Sequence, residues 1–129
     1  MKIGIVGQGF VGTAVYEGLK QHHKIETYDI AKTSTCKSLA DLSEKSDVIF
    51  VCLPTPMKKD GRCHIDIVES TLLGLEVIDE CKIVVVKSTI PPGTTAKWNS
   101  LFTNIQIVFN PEFLTEANSI EDFKNQNRI

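Results

Sequence analysis

Residues 2–12 read KIGIVGQGFVG, and this run decides the fold. Lys2–Val6 is short, apolar and β-branched, the composition of a buried strand. It passes directly into Gly7-Gln8-Gly9-Phe10-Val11-Gly12, a complete G-x-G-x-x-G, and Val11–Gln21 then shows helical spacing. Strand, glycine turn and helix in that order open a βαβ unit. In such a unit Gly7 allows the tight turn, Gly9 lets the backbone approach a pyrophosphate, and Gly12 lets the helix pack closely on the sheet. The N–H groups at the helix start, helped by its dipole, then face the phosphates.

Working outward, Asp29 ends the next strand-like run, Ile25–Asp29, about 20 residues further on. A carboxylate at that point accepts hydrogen bonds from the adenosine ribose hydroxyls and repels a 2′-phosphate, so the pattern favours NAD over NADP. The plainer alternative keeps the glycines for packing and makes Asp29 a strand-end cap.

The remaining chain repeats the alternation. Apolar, β-branched runs at Asp47–Leu53, Lys82–Lys87 and Ile105–Phe109 predict further strands. Helical patterns lie at Leu39–Glu44, Ile65–Asp79, Thr94–Phe102 and from about Thr115 to Phe123. Strands that are nearly all apolar are those buried on both faces. The expectation is therefore a Rossmann-like doubly wound α/β fold: a parallel sheet of about five strands with helices on both faces. Pro54–Arg62 reads as an exposed turn before a helix. Asn127-Arg128-Ile129 reads as the start of a further strand, so residues 1–129 are expected to be one dinucleotide-binding domain, the front part of a longer polypeptide.

Composition excludes several classes. At 42% hydrophobic, 23% charged and net charge −2, the chain has no electrostatic footprint for nucleic acid and no basic run for a membrane surface. No apolar stretch approaches a transmembrane length, and Gly4 and Gly7 interrupt the N-terminal run, so no signal peptide is expected. The four cysteines, Cys36, Cys52, Cys63 and Cys81, lack C-x-x-C spacing and do not pair with the three histidines, so no metal site is predicted. Free thiols in a reducing, cytoplasmic setting are the better reading.

Ligands of open parallel sheets bind outside the carboxyl ends of the strands. The third strand ends in Cys52-Leu53-Pro54-Thr55-Pro56, where two prolines fix the backbone around Thr55. The fourth ends in Lys87-Ser88-Thr89-Ile90-Pro91-Pro92-Gly93-Thr94-Thr95, and the fifth in Asn110-Pro111-Glu112, with Glu116 following. Taken singly, the hydroxyls are also helix caps, the prolines turn formers, and the glutamates first-turn acids favoured by a helix dipole.

Together G-x-G-x-x-G, C-L-P-T-P, K-S-T-I-P-P-G-T-T and N-P-E-F-L-T-E-A resemble the UDP-glucose/GDP-mannose dehydrogenases over almost the whole chain. The resemblance implies an enzyme that oxidises the C6 alcohol of a nucleotide sugar to a carboxylate with two NAD in succession. It implies a cofactor site at Gly7, Gly9, Phe10, Val11, Gly12, Asp29, Leu53, Pro54, Thr55, Ser88 and Thr89. Thr89 and Glu112 would handle the water that hydrolyses a thioester intermediate, and Phe113, Leu114 and Glu116 would contact the nucleotide sugar. A homodimer is implied for the full-length enzyme. The chain departs from the family at Ala117, where glycine is usual, and in its short stretch between Asp29 and Asp47. The family's nucleophilic cysteine, catalytic lysine and asparagine belong to downstream domains, so residues 1–129 alone are expected to bind NAD without turnover. Two other readings stay open: a hydroxyacid dehydrogenase domain of the 6-phosphogluconate type, against which Pro54-Thr55-Pro56 and Asn110-Pro111-Glu112 argue, and a stand-alone NAD-sensing module in which Thr89 and Glu112 are idle.

Overall fold

The computed structural model describes residues 1–55, 59–61, 65–78, 82–110 and 119–125. Within them the chain runs β1 (Lys2–Val6), α1 (Phe10–Leu19), β2 (Lys24–Tyr28), α2 (Leu39–Glu44), β3 (Val48–Val51), α3 (Asp66–Glu76), β4 (Lys82–Val86), α4 (Thr94–Leu101), β5 (Ile105–Phe109) and α5 (Ser119–Asn125). The strands form one parallel sheet in the order β2-β1-β3-β4-β5. The chain reverses its direction of travel across the sheet between β1 and β3, and that switch point is where such sheets open a crevice.

The alternation of the strands explains the two layers. Ile3, Ile5 and Phe50 meet Ala14 and Val15 of α1 and Phe123 of α5 on one face. Ile49, Val51, Val84, Val86 and Ile107 meet Leu42 of α2, Val68, Leu72 and Leu75 of α3 and Trp98 of α4 on the other. Each large apolar side chain buried this way contributes about 1.5–3 kcal/mol relative to exposure. The indole Nε1 of fully buried Trp98 donates to Glu69 Oε2 (3.0 Å), so α4 is tied to α3 by a satisfied polar atom.

Two expectations need correction. Burial on both faces holds in the centre of the sheet but thins over β4 and β5 on the α1 side, where Val85 is half-buried and Ile83 and Val108 are 44% and 45% exposed. The cause is coverage: the described helices of that face, α1 and α5, pack over β1 and β3. The elements are also shorter than read. β3 is Val48–Val51, α3 ends at Glu76 and α1 at Leu19, because Leu53 and Lys20 to Gln21 already belong to connections. β2 ends at Tyr28, which puts Asp29 in the loop beyond the strand.

The outer edge of β2 is not bare. The short connection to α2 folds back along it, with Cys36 N–H donating to the Thr27 carbonyl (2.9 Å) and Thr27 N–H donating to Thr35 Oγ1 (2.7 Å). This blocks pairing on that side. Among the described residues no helix is long and apolar enough to cross a membrane.

Candidate functional site

A cavity of about 570 Å³ opens at the switch point, within the range of roughly 300–1,000 Å³ usual for small-molecule and cofactor sites. Its walls come from the β1–α1 turn, the loop after β2 and the ends of β3 and β4.

Gly7 turns the chain at φ +96°, a conformation that side chains rarely adopt, and a Cβ there would lie 2.6 Å from the Cys52 carbonyl oxygen. Its N–H donates to the Tyr28 carbonyl (2.9 Å), which pins the turn to the end of β2. Gly9 precedes α1 and has no side chain to cap it, so the first N–H groups of the helix stay available to a ligand. A Cβ on Gly9 would meet nothing within 4 Å. Gly12 differs: it is buried, does not line the cavity, and a Cβ there would come within 2.9 Å of the Gly7 carbonyl carbon and closer still to its oxygen. Gly9 thus keeps space open on the cavity side while Gly12 permits α1 to seat against the turn. Phe10, 43% exposed, and Val11 border the opening.

Asp29 holds the neighbouring wall. Its Oδ2 accepts the Gln8 N–H (2.7 Å), and its Oδ1 accepts the N–H groups of Ala31 (2.8 Å) and Lys32 (3.0 Å). Burial alone would raise its carboxyl, but the three backbone donors and the charge of Lys32 outweigh it and hold the group below the ordinary carboxylate value. The carboxylate is therefore ionised and held in a fixed orientation at the cavity wall.

Leu53, Pro54 and Thr55 extend from β3 along the floor, and Ser88 and Thr89 from β4. The two hydroxyls of β4 behave differently. Ser88 Oγ donates to the Leu53 carbonyl (2.6 Å) and accepts the Leu53 N–H (3.1 Å), so its proton is committed to the neighbouring strand end. Thr89 is exposed at the rim. Pro56, Glu112, Phe113, Leu114 and Glu116 lie outside the described residues.

Several lining residues went unread in the sequence, among them Gln8, Ile30, Lys32 and Lys87. Ile30 and Lys32 follow Asp29 closely, so proximity to the acid was an available signal. Lys87 had none, since a lysine closing an apolar run ordinarily reads as a solvated strand end. It is instead 1% exposed, with Nζ donating to Asn110 Oδ1 (3.2 Å) and lying 5.8 Å from the centre of the Phe123 ring. The strand ends of β4 and β5 and helix α5 are joined through it.

These residues fit a dinucleotide. The open side of Gly9 and the uncapped start of α1 suit a pyrophosphate, and Asp29, with three backbone N–H groups already on it, keeps about one acceptor position toward the cavity. Among the described residues no cluster of His, Cys, Asp and Glu can hold a metal ion.

A sequence profile of the UDP-glucose/GDP-mannose dehydrogenase family, NAD binding domain, matches residues 31–129. The UDP-glucose 6-dehydrogenase of Streptococcus pneumoniae is 31% identical over 100% of this chain and 40% of its own length. An uncharacterized protein of Methanocaldococcus jannaschii is 36% identical over 88% of this chain and 12% of its own length. Among solved structures, the GDP-mannose dehydrogenase of Pseudomonas aeruginosa, in a ternary complex, superposes with a TM-score of 0.84 at 24% identity, covering 95% of this chain and 38% of that one. At that identity the likeness is one of fold. The profile begins after the glycine turn, whereas the streptococcal alignment takes in the whole chain. The chain spans between 12% and 40% of the length of these relatives.

Proposed function

The chain belongs to the UDP-glucose/GDP-mannose dehydrogenase family, of which it holds the NAD-binding domain, and on that premise we propose that it is the cofactor half of a nucleotide-sugar 6-dehydrogenase. In this reading residues 1–129 are one domain, the N-terminal part of a cytoplasmic, homodimeric enzyme that oxidises the C6 alcohol of a UDP- or GDP-sugar to a carboxylate. The observation that supports it is the convergence of the glycine turn, Asp29 and the ends of β3 and β4 on one cavity.

Bound NAD supplies the hydride acceptor for each oxidation. The chain's own residues bind and orient. Gly7 makes the tight turn, Gly9 leaves room for the pyrophosphate, and Gly12 lets α1 seat closely enough for its uncapped first N–H groups to serve it. Asp29 accepts a ribose hydroxyl at the position its three backbone donors leave open. Leu53, Pro54, Thr55 and the backbone around Ser88 form the rigid floor that fixes the nicotinamide end. Thr89 positions a water at the rim with Glu112, and Phe113, Leu114 and Glu116 approach the sugar nucleotide; these last four enter by their place in the sequence alone.

The covalent step needs a cysteine thiolate. Cys36 and Cys52 are both buried, and burial pushes the Cys36 thiol up, the reverse of activation. Cys63 and Cys81 lie outside the described residues, and by the family resemblance the nucleophilic cysteine belongs to a downstream domain. Residues 1–129 should accordingly bind NAD and leave UDP-glucose and GDP-mannose unoxidised. Titration calorimetry with NAD and NADH absorbance with each sugar nucleotide check both halves. Absence of NAD binding would sink the proposal, and turnover by residues 1–129 would overturn the division into halves.

A further inference from the structure

Lys32 is a charged residue at this site to which nothing above gives a ligand. Its side chain is exposed, lines the cavity beside Asp29, and donates through Nζ to the Gln8 carbonyl oxygen (2.9 Å). Gln8 stands between the first two glycines of the turn, and its N–H is held by Asp29 Oδ2 (2.7 Å). One peptide residue of the turn is therefore gripped by the acid at its N–H and by the base at its carbonyl. Asp29 and Lys32 are further joined through the Lys32 N–H and Asp29 Oδ1 (3.0 Å).

Both signs of charge thus face the edge where an adenosine ribose would meet Asp29. The Lys32 ammonium has three donors and spends one on a neutral carbonyl in an exposed position. A phosphate dianion is a far stronger acceptor than a carbonyl, because the hydrogen bond becomes charge-assisted. What stops a 2′-phosphate from taking that ammonium is the neighbouring carboxylate. Specificity is a difference of affinities and is often set by a repulsive element placed beside an attractive one.

We propose that Lys32 is a second specificity-determining residue for the dinucleotide: a latent 2′-phosphate ligand, latched on the Gln8 carbonyl and masked by Asp29. The inference rests on the NAD-site reading given above. Removing the Asp29 charge does more than lift repulsion, since it releases an attractive partner already in place.

The test is a double-mutant comparison on residues 1–129, with NAD, NADP and adenosine 2′,5′-bisphosphate as titrants and circular dichroism to confirm folding. Asp29→Asn should narrow the NAD-to-NADP affinity ratio at least tenfold and should confer binding of the bisphosphate. Adding Lys32→Ala to Asp29→Asn should restore most of the ratio and abolish bisphosphate binding, while adding Lys32→Arg should keep both effects. NADP binding by Asp29→Asn should also weaken with salt more steeply than NAD binding does. If Asp29→Asn and its Lys32→Ala double variant give the same ratio, Lys32 is an ordinary solvated lysine and the inference falls while the NAD site stands. If the unmodified chain binds no NAD, the site reading falls and takes the inference with it.

Discussion

Gly9→Ala and Gly12→Ala add the same methyl group to the same turn, yet the structure expects opposite consequences. At Gly12 the new Cβ meets backbone, the Gly7 carbonyl, with its carbon at 2.9 Å and its oxygen nearer. No rotamer can relieve that overlap, so α1 has to move away from β1. Overpacking of a well-filled site costs about 1–3 kcal/mol, and a clash with main chain belongs at the upper end or beyond. For a domain of this size about 3 kcal/mol corresponds to a fall in Tm of roughly 10–15 °C. At Gly9 the backbone has φ −74° and the Cβ would meet nothing within 4 Å, so the fold tolerates it. Alanine is a poorer N-cap than glycine, and the expected cost stays below about 1 kcal/mol. The methyl would instead stand where the pyrophosphate approaches, and loss of close N–H contacts should weaken NAD binding at least tenfold, about 1.4 kcal/mol. Differential scanning calorimetry gives the two Tm values, and titration calorimetry the two affinities. If Gly9→Ala unfolds the protein as readily as Gly12→Ala, or binds NAD as tightly as the unmodified chain, the division of labour between the glycines is wrong.

Glu76, at the end of α3, accepts the N–H groups of Thr103 (2.7 Å), Asn104 (2.8 Å) and Ile105 (3.2 Å) ahead of β5. Burial acts to raise its carboxyl, but these donors outweigh it and hold the group below its ordinary value. A depressed folded value means stability that is full above about pH 4.3 and is lost as pH falls through the lower folded value. Glu76→Gln should lower Tm at pH 7, and the gap should close as pH is taken down through the acid range below the ordinary carboxylate value; a gap of constant size across that range would refute the assignment. Assembly should follow β5, which among the described residues pairs on one side only and carries Val108 and Phe109, 45% and 40% exposed. Sedimentation velocity should show concentration-dependent self-association, and a strict monomer at high concentration would count against it.

How much of this was legible in the sequence varied with the kind of interaction involved. The β1–turn–α1 unit was readable because a short apolar, β-branched run, three glycines and a run of period 3.6 each have a local cause. β4 and β5 began where their β-branched runs begin for the same reason. The exposed flank at Ile83 and Val108 was hidden because coverage depends on where α1 and α5 settle, which no local pattern records. Lys87 was hidden for a related reason: its burial depends on Asn110 and Phe123, which are far along the chain. Within the site, strand-end position was enough to place Thr55, Ser88 and Thr89 on one cavity. It was not enough to separate the two β4 hydroxyls, because the partner of Ser88 lies across the strand pair at Leu53.

That partner has a consequence for how such a domain can diverge. By donating to one Leu53 backbone group and accepting from another, Ser88 adds one more rung to the β3–β4 ladder, built from a side chain where the strands themselves have stopped. A rung of this kind admits only a residue with a hydroxyl at Cβ reach. Replacing Ser88 by a residue without that hydroxyl therefore costs the rung, whatever ligand the cavity takes. Position 89, one step further and facing the rim, has no such obligation. New chemistry on this scaffold is expected to arise by drift at 89 against a nearly immobile 88, so that two adjacent hydroxyls of similar appearance would have different evolutionary histories.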